Sequence, residues 1–132
     1  MDSLPDWSRS QTFIESCQHA LDGIRVTLER ERNLKIQLSI GFVVLLVAIA
    51  LFAGGKIFIW DMAILVLTAG LLLALELLNT AIEEIENFIH PEYHQAIKRS
   101  KDIASGAVFV ASCAAIIVGL LLLGPPLWRI LV

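Results

Sequence analysis

The chain has 132 residues, 57% of them hydrophobic, with a mean hydropathy of +0.75 and a formal net charge of −3. Globular proteins run at about 45–50% apolar, so the excess excludes an ordinary soluble domain and calls for a membrane explanation. The basic residues are few and lie beside apolar runs, which excludes a nucleic-acid-binding surface.

The N-terminal stretch MDSLPDWSRS carries acids and polar groups without a basic region leading into an apolar one, so it does not read as a cleavable signal peptide. Residues 7–35 follow with helical spacing. Trp7, Phe13, Ile14, Cys17, Leu21, Ile24 and Leu28 recur at threes and fours, with Asp22, Arg25, Glu29 and Arg32 between them. An amphipathic helix next to a span is expected to lie in the membrane interface. Gly23, within this pattern, is expected to mark a bend or a close approach.

Three apolar runs come next, at 38–53, 57–78 and 103–123. Each approaches or exceeds the roughly 20 residues that a spanning helix needs. Gly54 and Gly55 predict a tight turn after the first, and Trp60 stands where interfacial aromatics collect. The second run keeps helical spacing to Phe88 while turning acidic, and His90-Pro91 ends it. HPEYHQAIKRS reads as a short polar linker. Ala104, Ser105, Gly106, Ala107, Ala111 and Ser112 offer a small-residue surface for close packing at the start of the third run, which Pro125 and Pro126 are expected to stop.

The fold class is therefore an all-α membrane protein, one domain over 1–132, with an N-terminal interfacial helix and three transmembrane helices. Three spans enclose little volume, so a polar site among them needs neighbouring copies as walls, which favours a homo-oligomer. Arg9, Arg25, Arg30, Arg32 and Lys35 precede the first span, and Lys98, Arg99 and Lys101 precede the third. Lys56 and Arg129 alone fall on the other side. The positive-inside rule then puts the N-terminus in the cytoplasm and the C-terminus outside. Cys17 and Cys113 are placed on different levels of the bilayer, without metal or redox spacing, and read as small buried hydrophobes rather than a disulfide.

Glu76 is the costly residue in this picture. A carboxylate inside an apolar spanning helix is unfavourable by roughly 2.5–3.5 kcal/mol on insertion scales and marks a functional site by default. Asn79 and Glu83 follow at i+3 and i+7, on the same helix face, with Glu83 about 10 Å along the axis. A deep carboxylate suits a proton acceptor. One at the water interface suits a hard cation such as Mg²⁺, which takes oxygen ligands and keeps several waters. The blander alternative has Glu76 bonded to a neighbouring helix, with Glu84 and Glu86 as a solvated acidic end.

Lys101-Asp102 would lie at the mouth of the third span, where an ammonium and free helix-start amides could together hold a phosphate. Lys101 alone reads more simply as a snorkelling lysine, and Asp102 as an acid at a helix start. The mixed-charge run Glu29-Arg30-Glu31-Arg32-Asn33 is by itself a solvated face. It gains meaning from a rim that would gather Glu31, Glu83, Lys101, Glu92, Tyr93 and His94. Carboxylates for a metal, a lysine for phosphate and an opening to lipid suggest phosphoryl transfer to a membrane alcohol. No glycine-rich phosphate loop of the G-x-x-x-x-G-K-[ST] or kinase type is present. The alternative is a small proton-coupled transporter or assembly subunit using Glu76. Such a site would need access from both sides, whereas these polar residues climb toward one rim.

At these residues the chain resembles the small prokaryotic diacylglycerol kinases, a family that includes undecaprenol kinases, from about Phe13 to Leu123. The resemblance is strongest in ELLNTAIEEIENFIHPEYHQAIKRSKDIASGAV, with its E-x-x-N-x-x-x-E core, its E-Y-H and its K-D-x-x-S-x-A-V in order, and it extends to ALDGIRVTLERERNLKIQ upstream. It implies a trimeric ATP-dependent lipid kinase of the inner membrane, with composite sites. Glu76 falls on the family's catalytic base, and Glu31 and Glu83 on the carboxylates that hold Mg²⁺ with ATP. Asn79 falls on the polar partner near the base, and Ser105 on a lipid-site position. Lys101 and Asp102 fall on phosphate-site residues, and Glu92, Tyr93 and His94 on the nucleotide-binding linker. Thr12 and His19 stand in the ATP site where the enterobacterial branch has an arginine and a tyrosine, Arg9 lies about a turn upstream, and Gln37 replaces an acid of that branch. Glu31 to Lys35 looks more like the Gram-positive-type members, which tilts the substrate toward undecaprenol.

Overall fold

The computed structural model describes residues 12–89 and 94–132. These form four helices: α1 (Phe13–Arg30), α2 (Arg32–Ala53), α3 (Ile59–Ile89) and α4 (Gln95–Leu131). Trp7 and Arg9, at the start of the expected first helix, and Glu92 and Tyr93 lie outside the described residues.

A capping box starts α1: Thr12 Oγ1 accepts from the Glu15 amide at 3.2 Å, and Glu15 Oε2 accepts from the Thr12 amide at 3.0 Å. Gly23 lies inside the continuous helix, and a Cβ there would meet nothing within 4 Å, so it marks no close approach. The expected helix over 7–35 is divided at Glu31, which is extended at φ −92°, ψ 115°, so that α2 begins at Arg32. Periodicity misses this break because helical spacing resumes directly after one residue.

A Schellman turn closes α2, with the Lys56 amide on the Leu51 carbonyl at 2.8 Å and the Gly55 amide on that of Phe52 at 3.0 Å. Gly55 has φ +65°, the left-handed region in which a Cβ is unfavourable. Asp61 is then explained without any membrane chemistry. Its Oδ2 accepts from the Phe58 amide at 2.7 Å and satisfies a free donor at the start of α3. At 31 residues α3 is about 46 Å long, more than the roughly 30 Å of a hydrocarbon core, so one end must leave it.

Two expectations about the last helix are corrected. QAIKRS is helix and not linker: His94 Nδ1 accepts from the Ala96 amide at 3.2 Å, and Lys98 pairs with Asp102 at 2.6 Å one turn on. Nor do Pro125 and Pro126 stop the helix, which runs through them to Leu131. Each proline lacks its N–H and crowds the carbonyl four residues back, yet in apolar surroundings breaking the helix would strand more backbone groups than continuing it.

The core is small: Ala48, Leu51, Ile57, Leu65 and Leu123, flanked by Val44, Val47, Met62, Val118 and Leu122. It lies where α2 turns into α3 and α4 nears its end. The α3–α4 contact is the most extensive and α2–α3 comes next, while α1 touches α2 and α3 lightly. Cys17 and Cys113 are free thiols, as expected, but exposed rather than buried, because so thin a bundle covers little of its own surface.

Candidate functional site at the polar end of the bundle

Opposite the apolar core, α3 presents its stripe. Glu76 is 3% exposed and accepts from Gln37 Nε2 of α2 on its Oε2 at 3.3 Å. Thr80, buried one turn on, donates its hydroxyl to the Glu76 carbonyl at 3.1 Å. Asn79 Nδ2 donates to Glu83 Oε1 at 2.9 Å, which ties the next two members of the stripe together. The carboxylates of Glu31 and Glu83 both lie near enough to Glu76 to act on its charge. Glu31 is the single-residue break between α1 and α2, where its side chain makes no capping hydrogen bond.

Oxygen acceptors stand ready at this end. Among the described residues, Gln37 Oε1, Asn79 Oδ1 and Glu86 Oε2 are buried and without a hydrogen-bond partner. Buried polar atoms are normally satisfied, so such a set marks a place where donors or a cation belong. Glu86 is 7% exposed and hence no solvated helix end, whereas Glu84 is exposed and accepts from Arg30 Nη1 at 2.7 Å.

The other residues singled out from the sequence divide. Lys101 joins α3 through Asn87, with Nζ 2.6 Å from Oδ1, one turn beyond Glu83. It does not lie at a helix mouth, however. Because α4 starts at Gln95, Lys101 and Asp102 are nearly two turns inside it and their amides are not free helix-start donors. Asp102 is held by Lys98 at 2.6 Å, and His94 caps α4. His19 lines a cleft of about 560 Å³ between α1 and α3, together with Asp22, Thr27, Arg30, Thr80 and Glu84. Thr12, its side chain engaged in the cap, stands about 27 Å along α1 from Arg30. Ser105 is exposed on α4.

The sequence sets Asn87 and Glu86 one turn beyond Glu83 and puts Gln37 in place of a family acid, but it names a partner for neither Gln37 nor Asn87 and does not foresee the Arg30–Glu84 pair. Both amides carry a signal, one at the edge of the first apolar run and one at i+4 from Glu83. The pair joins residues 54 positions apart and carries none.

The chain is similar to known proteins. The profile of the prokaryotic diacylglycerol kinase family matches residues 18–123. A diacylglycerol kinase of Synechocystis is 35% identical over 127 residues, covering 96% of this chain and 70% of the relative. An undecaprenol kinase of Bacillus subtilis is likewise 35% identical over 127 residues, covering 96% of this chain and all of the relative. The diacylglycerol kinase of Escherichia coli K12 is 38% identical over 60 residues, 46% of this chain and 49% of its own. With four-fifths of its length inside the family profile, including the whole of the Glu76–Asn79–Glu83 stripe, the chain belongs to the prokaryotic diacylglycerol kinases.

Proposed function

We propose that this chain transfers the γ-phosphoryl group of MgATP to the hydroxyl of a membrane lipid alcohol, diacylglycerol or undecaprenol, giving the lipid phosphate and ADP. The observation that carries the reading is a buried Glu76 carboxylate, held on one oxygen by Gln37, at the deep end of the stripe it forms with the hydrogen-bonded Asn79 and Glu83. Family membership supplies the reaction class.

Glu76 is the general base. With Oε2 held by Gln37, its Oε1 takes the proton of the lipid hydroxyl as that oxygen attacks the γ-phosphorus and ADP leaves. Asn79 orients the reacting end beside it, and Ser105 belongs to the lipid-binding set. Glu31 and Glu83 hold Mg²⁺. Two carboxylates and a neighbouring unpartnered amide oxygen suit an ion that is shared with substrate phosphates, and no cluster of three or more His, Cys, Asp or Glu side chains among the described residues offers an all-protein cage. Bound there, Mg²⁺ supplies neutralisation of the charge on the transferring phosphoryl group. Lys101, Asp102, His94, Glu92, Tyr93, His19 and Thr12 contact the nucleotide, Lys101 by its ammonium alone now that its helix-start amides are gone.

The same reading places the protein in the bacterial cytoplasmic membrane as a homotrimer with shared sites, its N-terminus cytoplasmic and its C-terminus outside. Little of each long helix is buried within one copy, which leaves surface for neighbours. Phe13, Ile14 and Leu21 expose an apolar face of α1 suited to the interface. A transporter finds no support, since the stripe opens toward one end and the family is one of kinases.

The test is phosphorylation by purified protein of diacylglycerol and undecaprenol, side by side, with ATP consumption measured with and without lipid. Lipid-dependent ADP release with a lipid phosphate product is expected. ATP turnover that ignores both lipids would overturn the assignment.

A further inference from the structure

Of the ion pairs among the described residues, Arg25–Glu29 and Lys98–Asp102 each lie within one helix, and Arg30–Glu84 joins two. Its position in the chain is unusual in a useful way. Arg30 is the last residue of α1, and the next, Glu31, is the extended break from which α2 departs. Glu84 directly follows Glu83 on α3. A helix turns about 100° per residue, so Glu84 faces α1 on the flank of α3 while Glu83 faces the stripe.

Each partner is thus the immediate neighbour of one carboxylate that bears on Glu76. Nothing in the capping of α2 fixes the Glu31 side chain, which makes no cap hydrogen bond. The light α1–α3 contact gives packing little hold on the junction. Beside the buried Leu34 and the 3.1 Å bond from Lys35 Nζ to the Glu29 carbonyl, the 2.7 Å bond from Arg30 Nη1 to Glu84 Oε1 joins the junction to α3, and it brings a positive charge to an acidic end.

We propose that the Arg30–Glu84 pair is a positioning clasp for metal–nucleotide binding, holding the α1–α2 junction against α3 so that Glu31 and Glu83 address the same ion. The proposal rests on the reading of those two carboxylates as the Mg²⁺ ligands. Neither clasp residue touches the reacting atoms. The side chains are 63% and 57% exposed, so the pair is worth little in water, and its loss should cost about two- to five-fold in affinity rather than abolish binding.

The test uses the full chain in detergent micelles, Mn²⁺ as the probe ion and a non-hydrolysable ATP analogue, with free Mn²⁺ read by electron paramagnetic resonance. Arg30→Gln and Glu84→Gln should each weaken Mn²⁺ binding about two- to five-fold. The double variant should be no worse than either single one, because both remove the same bond. The reversed pair, Arg30→Glu with Glu84→Arg, should restore most of the affinity, and kcat at saturating metal should stay at the wild-type value throughout. Glu83→Gln separates the two layers of the argument. If it weakens Mn²⁺ binding while the clasp variants do not, or if the reversed pair binds no better than the single variants, the clasp falls alone. If Glu83→Gln binds Mn²⁺ as tightly as wild type, the metal assignment falls and takes the clasp with it.

Discussion

Replacing Gln37 by methionine isolates the hydrogen bond that holds Glu76, the proposed base. Methionine keeps the length and volume of the side chain, so packing between α2 and α3 is preserved while the Nε2–H donated to Glu76 disappears. A hydrogen bond to a charged group contributes about 1.5–3 kcal/mol, and at 3.3 Å this one belongs at the lower end. About 1.5 kcal/mol is close to tenfold in rate. The loss should fall on kcat, since Gln37 orients the group proposed to take the proton, and should leave the KM for MgATP unchanged. The assay is the initial rate of lipid phosphorylation in mixed micelles at saturating MgATP with lipid varied. The variant also removes a buried oxygen that has no partner, Gln37 Oε1, but leaves the buried Glu76 Oε2 without its donor, so thermal stability should hold or fall slightly. A kcat within about twofold of wild type, or a change confined to the KM for ATP, would refute the claim that Gln37 sets the geometry of Glu76.

The remaining predictions test other parts of the chain. Glu76→Gln should lower kcat by about 10²- to 10⁴-fold with helix content and oligomeric state unchanged, as checked by single-turnover kinetics and size-exclusion chromatography. Glu83→Gln should raise the Mg²⁺ concentration needed for half-maximal activity while its amide oxygen still accepts the 2.9 Å hydrogen bond from Asn79, so an unchanged Mg²⁺ titration counts against its role. Gly55→Ala should cost about 1–2 kcal/mol because its φ of +65° is left-handed, seen as a lower midpoint of thermal unfolding in micelles, with kcat at permissive temperature unaffected. Thr12→Ala should remove the capping box and about 1 kcal/mol of local stability, read as faster hydrogen exchange confined to the first turns of α1.

Much of the site was legible because its members lie on one helix. A 3.6-residue period puts Glu76, Asn79 and Glu83 on one face whatever the helix packs against, and their burial or half-burial follows from that face turning inward. Gly54-Gly55 was legible for the same local reason, since a Schellman turn is written in two adjacent residues. Legibility fails where a contact crosses between elements or where boundary signals compete. The proline pair reads as a stop from sequence, and only the apolar surroundings make continuation cheaper. Lys101 looked like a helix-mouth residue because hydropathy sees the apolar run at 103 and not the amphipathic turns before it. Cys17 and Cys113 were expected inside because cysteine usually is, but a three-span bundle has too little interior for the rule to hold.

The two ends of the molecule are held by different forces, and this bears on how function and stability separate. The apolar core gathers Leu51, Ile57, Leu65 and Leu123 around the α2–α3 turn and the late part of α4, so the fold's main packing lies away from Glu76. Apart from the buried Leu34, the site end is organised largely by a few polar contacts: Gln37 to Glu76, Asn79 to Glu83, Lys101 to Asn87 and Arg30 to Glu84. Such contacts are individually weak in net terms but directional. Losing one shifts an angle at the site without opening a cavity in the core. Substitutions at Gln37, Arg30 or Glu84 should therefore register in kinetics and metal affinity before they register in folding, and substitutions at Leu51 or Leu65 should do the reverse.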